Sequence, residues 1–433
     1  MEAMKNVHFI GIGGIGMSAL AMMAKSRKLL VSGSDEVASE ITNTLKKRGI
    51  KISIGHSSKN VPKNCDLVVY SLAAPESNPE RIEAKKRKIR QLSYPQALGE
   101  FTKSNQNICI TGTHGKSTTS GMLSKILIDC KIDPLVIIGT KTRYLKYGNF
   151  HNGKSKISVL EACEYRRAFL NLKQYIGIIT NVDSDHLDYY KNSDNYLKAF
   201  KEFAAKTPKD GFLIINKDDK RSVLAAKSCK GNVIYVSEKN APKLNLTLPG
   251  EHNRMNALLA ITAARMLGCP IEKAVKSVNE YEGSWRRFEY KGKLGTSMVF
   301  DDYAHHPNEI KATLAGAREK FPNKYILCVF QPHQYARTKS FINEFPKAFL
   351  NADEVIVPNI YDVIGREKKI KPITPDQFVA KLKTAHKNVK NGNGFTQTVA
   401  LIKKNIKKYQ VIIVVGAGDV YKITEMLFKS SSK

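Results

Sequence analysis

Residues Ile110 to Ser120 read ITGTHGKSTTS, placing Gly112-Thr113-His114-Gly115-Lys116-Ser117-Thr118 between an apolar strand-like run and a helix-forming stretch. These residue types suit a polyphosphate. Glycines let backbone N–H groups close around phosphate oxygens, Lys116 supplies a point charge, and the Ser117 hydroxyl is a Mg2+ ligand of the right kind. Two residues separate the first glycine from Gly-Lys-Ser, where the common loop has four. The order strand, loop, helix predicts an α/β sheet, and the same order recurs on both sides of it.

Upstream, 7–10 reads as a strand, Gly11-Ile12-Gly13-Gly14-Ile15-Gly16 as a turn, and the residues from Met17 and Ser18 to Ala24 as a helix. This is a Rossmann-like opening, in which a tight turn lets a diphosphate approach a helix N-terminus. Asp35 lies about twenty residues on, after the next apolar run, where a ribose-binding acid is expected. Alone, this pattern suggests NAD, or a turn that only packs strand on helix.

Strand-like and helix-like segments alternate along the whole chain. Strands are predicted at 7–10, 29–32, 51–54 and 67–71, then at 107–111, 136–139, 157–161, 176–181, 213–216 and 233–236, and finally at 298–301, 325–330, 355–357 and 411–416. A helical stretch at 94–103 and the turn before Trp285-Arg286-Arg287-Phe288 mark the joints. The fold class is therefore α/β in three domains: 1–103 Rossmann-like, 104–284 a central phosphate-loop α/β domain, and 285–433 Rossmann-like again. A length of 433 residues agrees with three domains. Low-complexity sequence is confined to the end at Ser430–Lys433.

Lysine and arginine outnumber acids by 70 to 39, giving a formal charge of +31. The basic residues are spread over helix faces such as Lys46-Lys47-Arg48, and no nucleic-acid module accompanies them. The excess therefore predicts an attractive field for small anions and no nucleic-acid partner. No apolar run is long enough to span a bilayer and no cleavable signal is evident, which predicts a cytoplasmic protein without a membrane partner. The seven cysteines, at 65, 109, 130, 163, 229, 269 and 328, form no CxxC pair and are expected to be reduced and mostly buried.

Further candidates stand at predicted strand ends, where α/β proteins keep their ligands. Glu161 closes one strand, and Asn181-Val-Asp183-Ser-Asp185-His186 closes another. Carboxylates and an imidazole there can hold Mg2+ against phosphates, or Asp183 and Asp185 can simply cap the next helix. In the third block, Asp301-Asp302-Tyr303-Ala304-His305-His306-Pro307 and Gln331-Pro332-His333-Gln334-Tyr335-Ala336-Arg337-Thr338 follow successive strands. Both clusters are rich in groups that donate protons or grip carboxylates, while Asp302 and Thr338 also read as helix caps.

The ordered set HFIGIGGIGMSA, GTHGKS, EACEYRRAFL, TNVDSDHLDYY, PGEHNRMNA, WRRFE, DDYAHHPNEI, FQPHQYARTKSF and VVGAGD, from about residue 5 to about residue 425, resembles the Mur ligases of peptidoglycan synthesis. The resemblance implies an ATP- and Mg2+-dependent ligase that joins L-alanine to the lactyl carboxylate of UDP-N-acetylmuramate through an acyl phosphate. It implies that Gly13, Gly14, Ile15, Gly16, Met17 and Ser18 grip a UDP-sugar diphosphate, with Asp35, His56 and Ser71 as further contacts. Gly112 to Thr118 would hold ATP, with Asn253 and Asn256 on the adenine side and Arg287 reaching the nucleotide. Ser117, Glu161 and His186 would ligate Mg2+. His305, His333 and Arg337 would surround the acyl phosphate and the incoming amino acid, with Tyr303 nearby, in a monomer or homodimer.

The chain departs from the family pattern in places. Ser117 replaces a threonine and keeps the hydroxyl; Cys163 and Arg166 stand where many relatives have aspartates; Gln334 stands where arginine is frequent, which puts more weight on Arg337. A ligase that joins a recycled tripeptide to the same UDP-sugar is the alternative within the family. An NAD oxidoreductase would leave the GTHGKS loop idle, and a nucleic-acid ATPase would leave the third block without work.

Overall fold

A computed structural model of the chain describes residues 4–362 and 372–429; the Ser430–Lys433 end lies outside them. The first sheet contains β1 (Asn6–Ile10), β2 (Leu30–Asp35), β3 (Lys51–Ile54), β4 (Leu67–Tyr70) and β5 (Arg90–Ser93). Its order is β3-β2-β1-β4-β5 and every pair is parallel. The strand order reverses between β1 and β4, so the residues just beyond them, Gly11 and Ser71, flank the crevice where doubly wound sheets bind ligands.

The second sheet contains β6 (Gln106–Thr111), β7 (Leu135–Ile137), β8 (Phe150–Asn152), β9 (Ile157–Glu161), β10 (Ile176–Ile179), β11 (Phe212–Asn216) and β12 (Asn232–Val236). In its order, β12-β11-β10-β6-β9-β7-β8, β6 lies between β9 and β10, and only the β7–β8 pair is antiparallel. The third sheet contains β13 (Glu289–Leu294), β14 (Ser297–Asp302), β15 (Ile326–Phe330), β16 (Glu354–Val357), β17 (Val389–Asn391) and β18 (Val411–Val415). Its order is β13-β14-β18-β15-β16-β17, with β13–β14 antiparallel. The runs ILCVF of β15 and VIIVV of β18 are buried throughout, as strands covered on both faces must be.

Two compact units result: Met1–Asn245 with Met255–Tyr281, and Leu246–Arg254 with Glu282–Lys433. The first two sheets share one unit and one apolar core, which runs from Val7 and Phe9 through Leu98 and Phe101 to Phe169 and Phe203. The third sheet has its own core around Leu327, Ile412 and Ile423. Four strands escape the sequence pattern. β5 (RQLS), β8 (FHN), β13 (EYKGKL) and β17 (VKN) are short or polar edge strands with no apolar run to announce them.

The cysteine expectation needs one correction. Cys130 and Cys269 form a disulfide across 139 residues with a Cα–Cα distance of 5.8 Å, joining the end of the helix Lys116–Asp129 to the turn before the helix Ile271–Asn279. Packing between those helices makes the pair, which spacing along the chain does not reveal. Cys65, Cys109 and Cys328 are buried free thiols, while Cys163 is exposed. No helix among the described residues is long and apolar enough to cross a membrane.

A buried polar network ties the first sheet together. Glu80, in the first turn of a helix capped by Asn78, is fully buried. Its carboxylate meets His8 Nε2 at 2.7 Å, Ser34 Oγ at 2.6 Å, His56 Nδ1 at 2.9 Å and Asn60 Nδ2 at 3.0 Å. Burial pushes the Glu80 carboxyl up, and hydrogen bonds from His8, Ser34, Asn60 and His56 outweigh it, leaving it at about 2. A carboxyl depressed in the fold stabilises it above the unfolded pKa and loses that contribution as pH falls toward the folded value. Glu80→Gln is therefore expected to lower the urea midpoint at neutral pH. The gap to the parent should narrow as pH drops below about 4.5 toward about 2, and a gap independent of pH would contradict the assignment.

Candidate active site

At the end of β1, Gly11 N and Ile12 N both donate to Ser34 O, at 2.9 and 3.0 Å, which folds the glycine turn over β2. Gly13 N donates to Asp35 Oδ2 at 2.7 Å, so the acid expected on a ribose also holds the turn. Gly14 is the N-cap of the helix Ile15–Ser26 and provides no side-chain acceptor, and the first turn contains no acid. Such a helix start presents backbone N–H groups and a positive dipole end to an anion. Met17 and Ser18 are buried, and Ser18 Oγ donates to Ile15 O at 2.8 Å. His56 follows β3 and Ser71 follows β4, bringing both to the same sheet edge as Asp35.

At the end of β6 the phosphate loop is fully formed. Gly112 and Gly115 have φ of 140° and 81°, and a Cβ would strike Thr180 Oγ1 at the first and Asn256 Oδ1 at the second. Only glycine fits both demands. The neighbouring strand end closes the loop: Thr113 N donates to Asn181 O and His114 N to Asn181 Oδ1, each at 3.0 Å. Asp183 N donates to Thr113 Oγ1 at 2.8 Å, and Asp183 Oδ2 meets His114 Nε2 at 3.1 Å.

The helix-cap readings fail. Asp183 serves the loop, Asp185 accepts the adjacent His186 N at 2.7 Å, and the short helix Leu187–Tyr190 has no side-chain cap. Asp302 accepts Phe288 N and Ala304 N while His306 caps the following helix, and Thr338 lies inside the helix Tyr335–Ser340.

Lys116 Nζ donates to Gly112 O at 2.6 Å and Thr113 O at 2.9 Å, and pairs with Glu164 at 2.9 Å. Burial pulls the Lys116 ammonium down, but Glu164 and the neighbouring acid Glu161 outweigh it and hold it above its ordinary value. Glu164 is buried; its carboxyl is pushed up by burial and more strongly lowered by Lys116 and His186. Sequence reasoning missed this residue, because EACEYRRAFL contains two glutamates and only Glu161 ends a strand. His186 Nε2 lies 3.5 Å from Glu164 Oε1, and its ring packs on Tyr165 at 4.7 Å.

Glu161 has different partners. Ser117 Oγ donates to Oε1 at 3.1 Å and Gly139 N to Oε2 at 3.0 Å. A hydroxyl and a carboxylate oxygen at that separation make an oxygen donor set of the kind Mg2+ prefers, so the residues fit the ion that the family implies. On the far side of the loop, Thr119 Oγ1 donates to Asn256 Oδ1 at 3.2 Å. Asn253 Nδ2, one turn earlier on that helix, donates to Pro249 O at 2.8 Å.

In the second unit, the ends of β14 and β15 assemble the other cluster. His305 Nδ1 lies 3.1 Å from Tyr303 O and 3.4 Å from Glu309 Oε2. The His305 and His333 rings are 6.0 Å apart, His333 stacks on Tyr361, and Arg337 Nη1 lies 3.4 Å from His333 Nδ1. Arg287 packs over the Tyr303 ring at 5.2 Å. Its neighbour Arg286 is buried and clasps Asp301 Oδ1 at 3.2 Å and the carbonyls of Gly416 and Gly418. Glu309 was also missed, although His306-x-x-Glu309 has the spacing of a capping box.

A phosphate loop on an inner parallel strand, flanked by an acid and an amide on the adjacent strand ends, defines a nucleotide-using α/β enzyme. Family models agree along the chain: Mur ligase family, catalytic domain, over 6–106; Mur ligase middle domain over 110–245; and Mur ligase, glutamate ligase domain, over 286–418. The chain belongs to the Mur ligase family. It is 39% identical to a UDP-N-acetylmuramate–L-alanine ligase of Clostridium novyi and 38% identical to one of Clostridium perfringens, covering 98% of both chains in each case. Among solved structures, a UDP-N-acetylmuramate-alanine ligase of Thermotoga maritima matches with a TM-score of 0.82 at 29% identity, covering 98% of each chain. A murein peptide ligase of Psychrobacter arcticus shares the fold, with a TM-score of 0.71 at 23% identity over 98% of each chain.

Removing one partner of a buried ion pair leaves a charge without compensation. Lys116→Ala should therefore destabilise the protein by about 3 kcal/mol with no nucleotide added, at the low end for such losses because His186 remains near Glu164. Adding Glu164→Gln should recover most of it. Urea unfolding of both variants checks this, and an additive double mutant would refute the pairing.

Proposed function

We propose that this chain joins L-alanine to UDP-N-acetylmuramate at the cost of ATP, giving UDP-N-acetylmuramoyl-L-alanine, ADP and phosphate in the cytoplasmic stage of peptidoglycan precursor synthesis. The observation that carries the reading is the assembled phosphate loop, with Lys116, Ser117 and Glu161 at one strand edge, in a chain similar along its length to ligases named for that reaction. We assign 1–103 to the UDP-sugar, 104–284 to ATP and 285–433 to the amino acid.

In this reading the lactyl carboxylate attacks the γ-phosphorus and ADP leaves, forming an acyl phosphate. The amine of L-alanine then attacks the activated carbonyl, loses a proton and expels phosphate. Two anions must meet in the first step, so the barrier falls chiefly through charge neutralisation and positioning. Lys116 neutralises the β- and γ-phosphate oxygens, and the loop amides between Gly112 and Thr118 orient them. Ser117 and Glu161 would hold Mg2+, with His186 toward a second ion; bound there, the metal supplies further positive charge to the phosphates. The turn from Gly13 to Ser18 receives the diphosphate of the UDP-sugar, with Asp35, His56 and Ser71 around it. Arg337 pairs with the alanine carboxylate, and His305 and His333, steadied by Glu309 and Tyr361, line the amino-acid site beside Tyr303.

Phosphate release should require UDP-N-acetylmuramate and L-alanine together. Equal ATP turnover without the UDP-sugar would reject the ligase reading. Glu161→Ala should cut turnover by more than about tenfold, or about 1.4 kcal/mol of barrier, with UDP-sugar affinity nearly unchanged.

Arg337→Lys keeps the charge and loses the planar fork, so the KM for L-alanine should rise far more than that for ATP. Competition between L-alanine and the recycled tripeptide, read by product mass, separates this reading from the recycling ligase. Preferred incorporation of the tripeptide would overturn it.

A further inference from the structure

The loop between β7 and β8 touches both the glycine turn of the first sheet and the metal-binding edge of the second. At its start, Gly139 N donates to Glu161 Oε2 at 3.0 Å, and Glu161 Oε1 accepts Ser117 Oγ at 3.1 Å. At its end, Asn149 Nδ2 donates to Ile15 O at 2.5 Å and lies 3.3 Å from Ser18 Oγ. Ile138 N donates to Asn149 O at 3.2 Å and closes the loop on itself. Hydrogen bonds, bridged by the peptide link between Ile138 and Gly139, thus run from Ser117 in the phosphate loop, through Glu161 and Asn149, to the first turn of the helix that begins at Ile15. Further contacts also cross here. Lys141 pairs with Glu40 at 2.8 Å, and Arg48 packs over Tyr147 at 3.8 Å.

These contacts differ in weight. Glu40 is exposed, and such surface pairs contribute little. Asn149 is buried, and its amide meets a backbone carbonyl in the turn itself. An unsatisfied buried donor is costly, so this contact resists displacement more than the surface pairs do. Phosphoryl transfer to a carboxylate depends steeply on the approach of the two reactants, and a misplacement of about 1 Å can cost about a hundredfold in rate.

We propose that Asn149 is a positioning residue that fixes the reach between the UDP-sugar turn and the phosphate loop, through its hydrogen bond to Ile15 O and the Gly139–Glu161 contact at the other end of its loop. The inference rests on the ligase reading above. Asn149 touches neither substrate in it, and acts by holding the glycine turn in register with Glu161 and Ser117. Its loss should separate binding from turnover, because each ligand keeps its own contacts while their mutual approach loosens.

The test uses the full chain with Asn149→Ala and Asn149→Asp. Aspartate keeps the size and shape of asparagine, but replaces the amide donor with a carboxylate facing the Ile15 carbonyl. Both variants are expected to lower kcat for UDP-sugar-dependent phosphate release by about ten- to a hundredfold. Dissociation constants for UDP-N-acetylmuramate and for ATP, each measured alone by calorimetry, should stay within about threefold of the parent. If alanine lowers the folded yield, Asn149→Ser takes its place, with folding checked by thermal midpoint.

Parental kcat in the aspartate variant would overturn the proposal, because only packing would then matter. A loss confined to UDP-sugar affinity, with kcat retained, would overturn it as well, since Asn149 would then support the turn alone. Parent enzyme that releases no phosphate in response to the UDP-sugar would instead remove the reading on which the inference rests.

Discussion

The parallel run of the strands is the constraint on which the rest depends. Apart from β7–β8 and β13–β14, every pair in the three sheets is parallel, so the strands of each sheet discharge their loops at one edge. Chemistry collects there without further design. Gly11 and Ser71 meet because β1 and β4 are neighbours, and Gly112, Glu161 and Asn181 meet because β6 lies between β9 and β10. Tyr303 and Gln331 follow β14 and β15, which flank β18. Moving one of these strands to another place in its sheet would scatter the site while leaving every motif intact in sequence.

Buried carboxylates do the holding at two of these edges. Glu80 gathers His8, Ser34, His56 and Asn60 under the first sheet's crevice, and Glu164 pins Lys116 and approaches His186 beneath the phosphate loop. A buried charge costs several kcal/mol unless its partners are in place. Each such acid therefore makes the local geometry close to all-or-none. That suits a reaction whose catalysis is mostly positioning, because Lys116 is steered by Glu164 and two backbone carbonyls rather than left to sample rotamers.

The legible part of the sequence was whatever is local. Gly112 to Ser117 could be read because a glycine turn, an apolar strand before it and a helix after it are neighbours in the chain. The clusters from Asp301 and from Gln331 were legible for the same reason. The partners that hold these groups were not. Glu80 looks like an ordinary first-turn acid, Glu164 like a polar loop residue, and Asn149 like any asparagine in a turn. Their roles come from partners 20 to 134 residues away. Cys130 and Cys269, 139 residues apart, escaped for that reason too. The edge strands β5, β8, β13 and β17 were lost on different grounds: an edge strand needs no continuous apolar run, so periodicity has nothing to detect.

The two glutamates of EACEYRRAFL show how similar side chains in one segment take opposite duties. Glu164 is buried and already paired with the Lys116 ammonium at 2.9 Å. Glu161 is held by a hydroxyl and a backbone amide, donors that orient a carboxylate without cancelling it. In the proposed reading Glu161 is therefore the acid that would take a divalent cation, with Ser117 offering it a second oxygen. In that reading the lysine would meet the phosphates already steered by Glu164, while Glu161 would face the metal. Exchanging the partners of the two glutamates would leave the composition of the site unchanged and remove the basis for placing the metal beside Ser117.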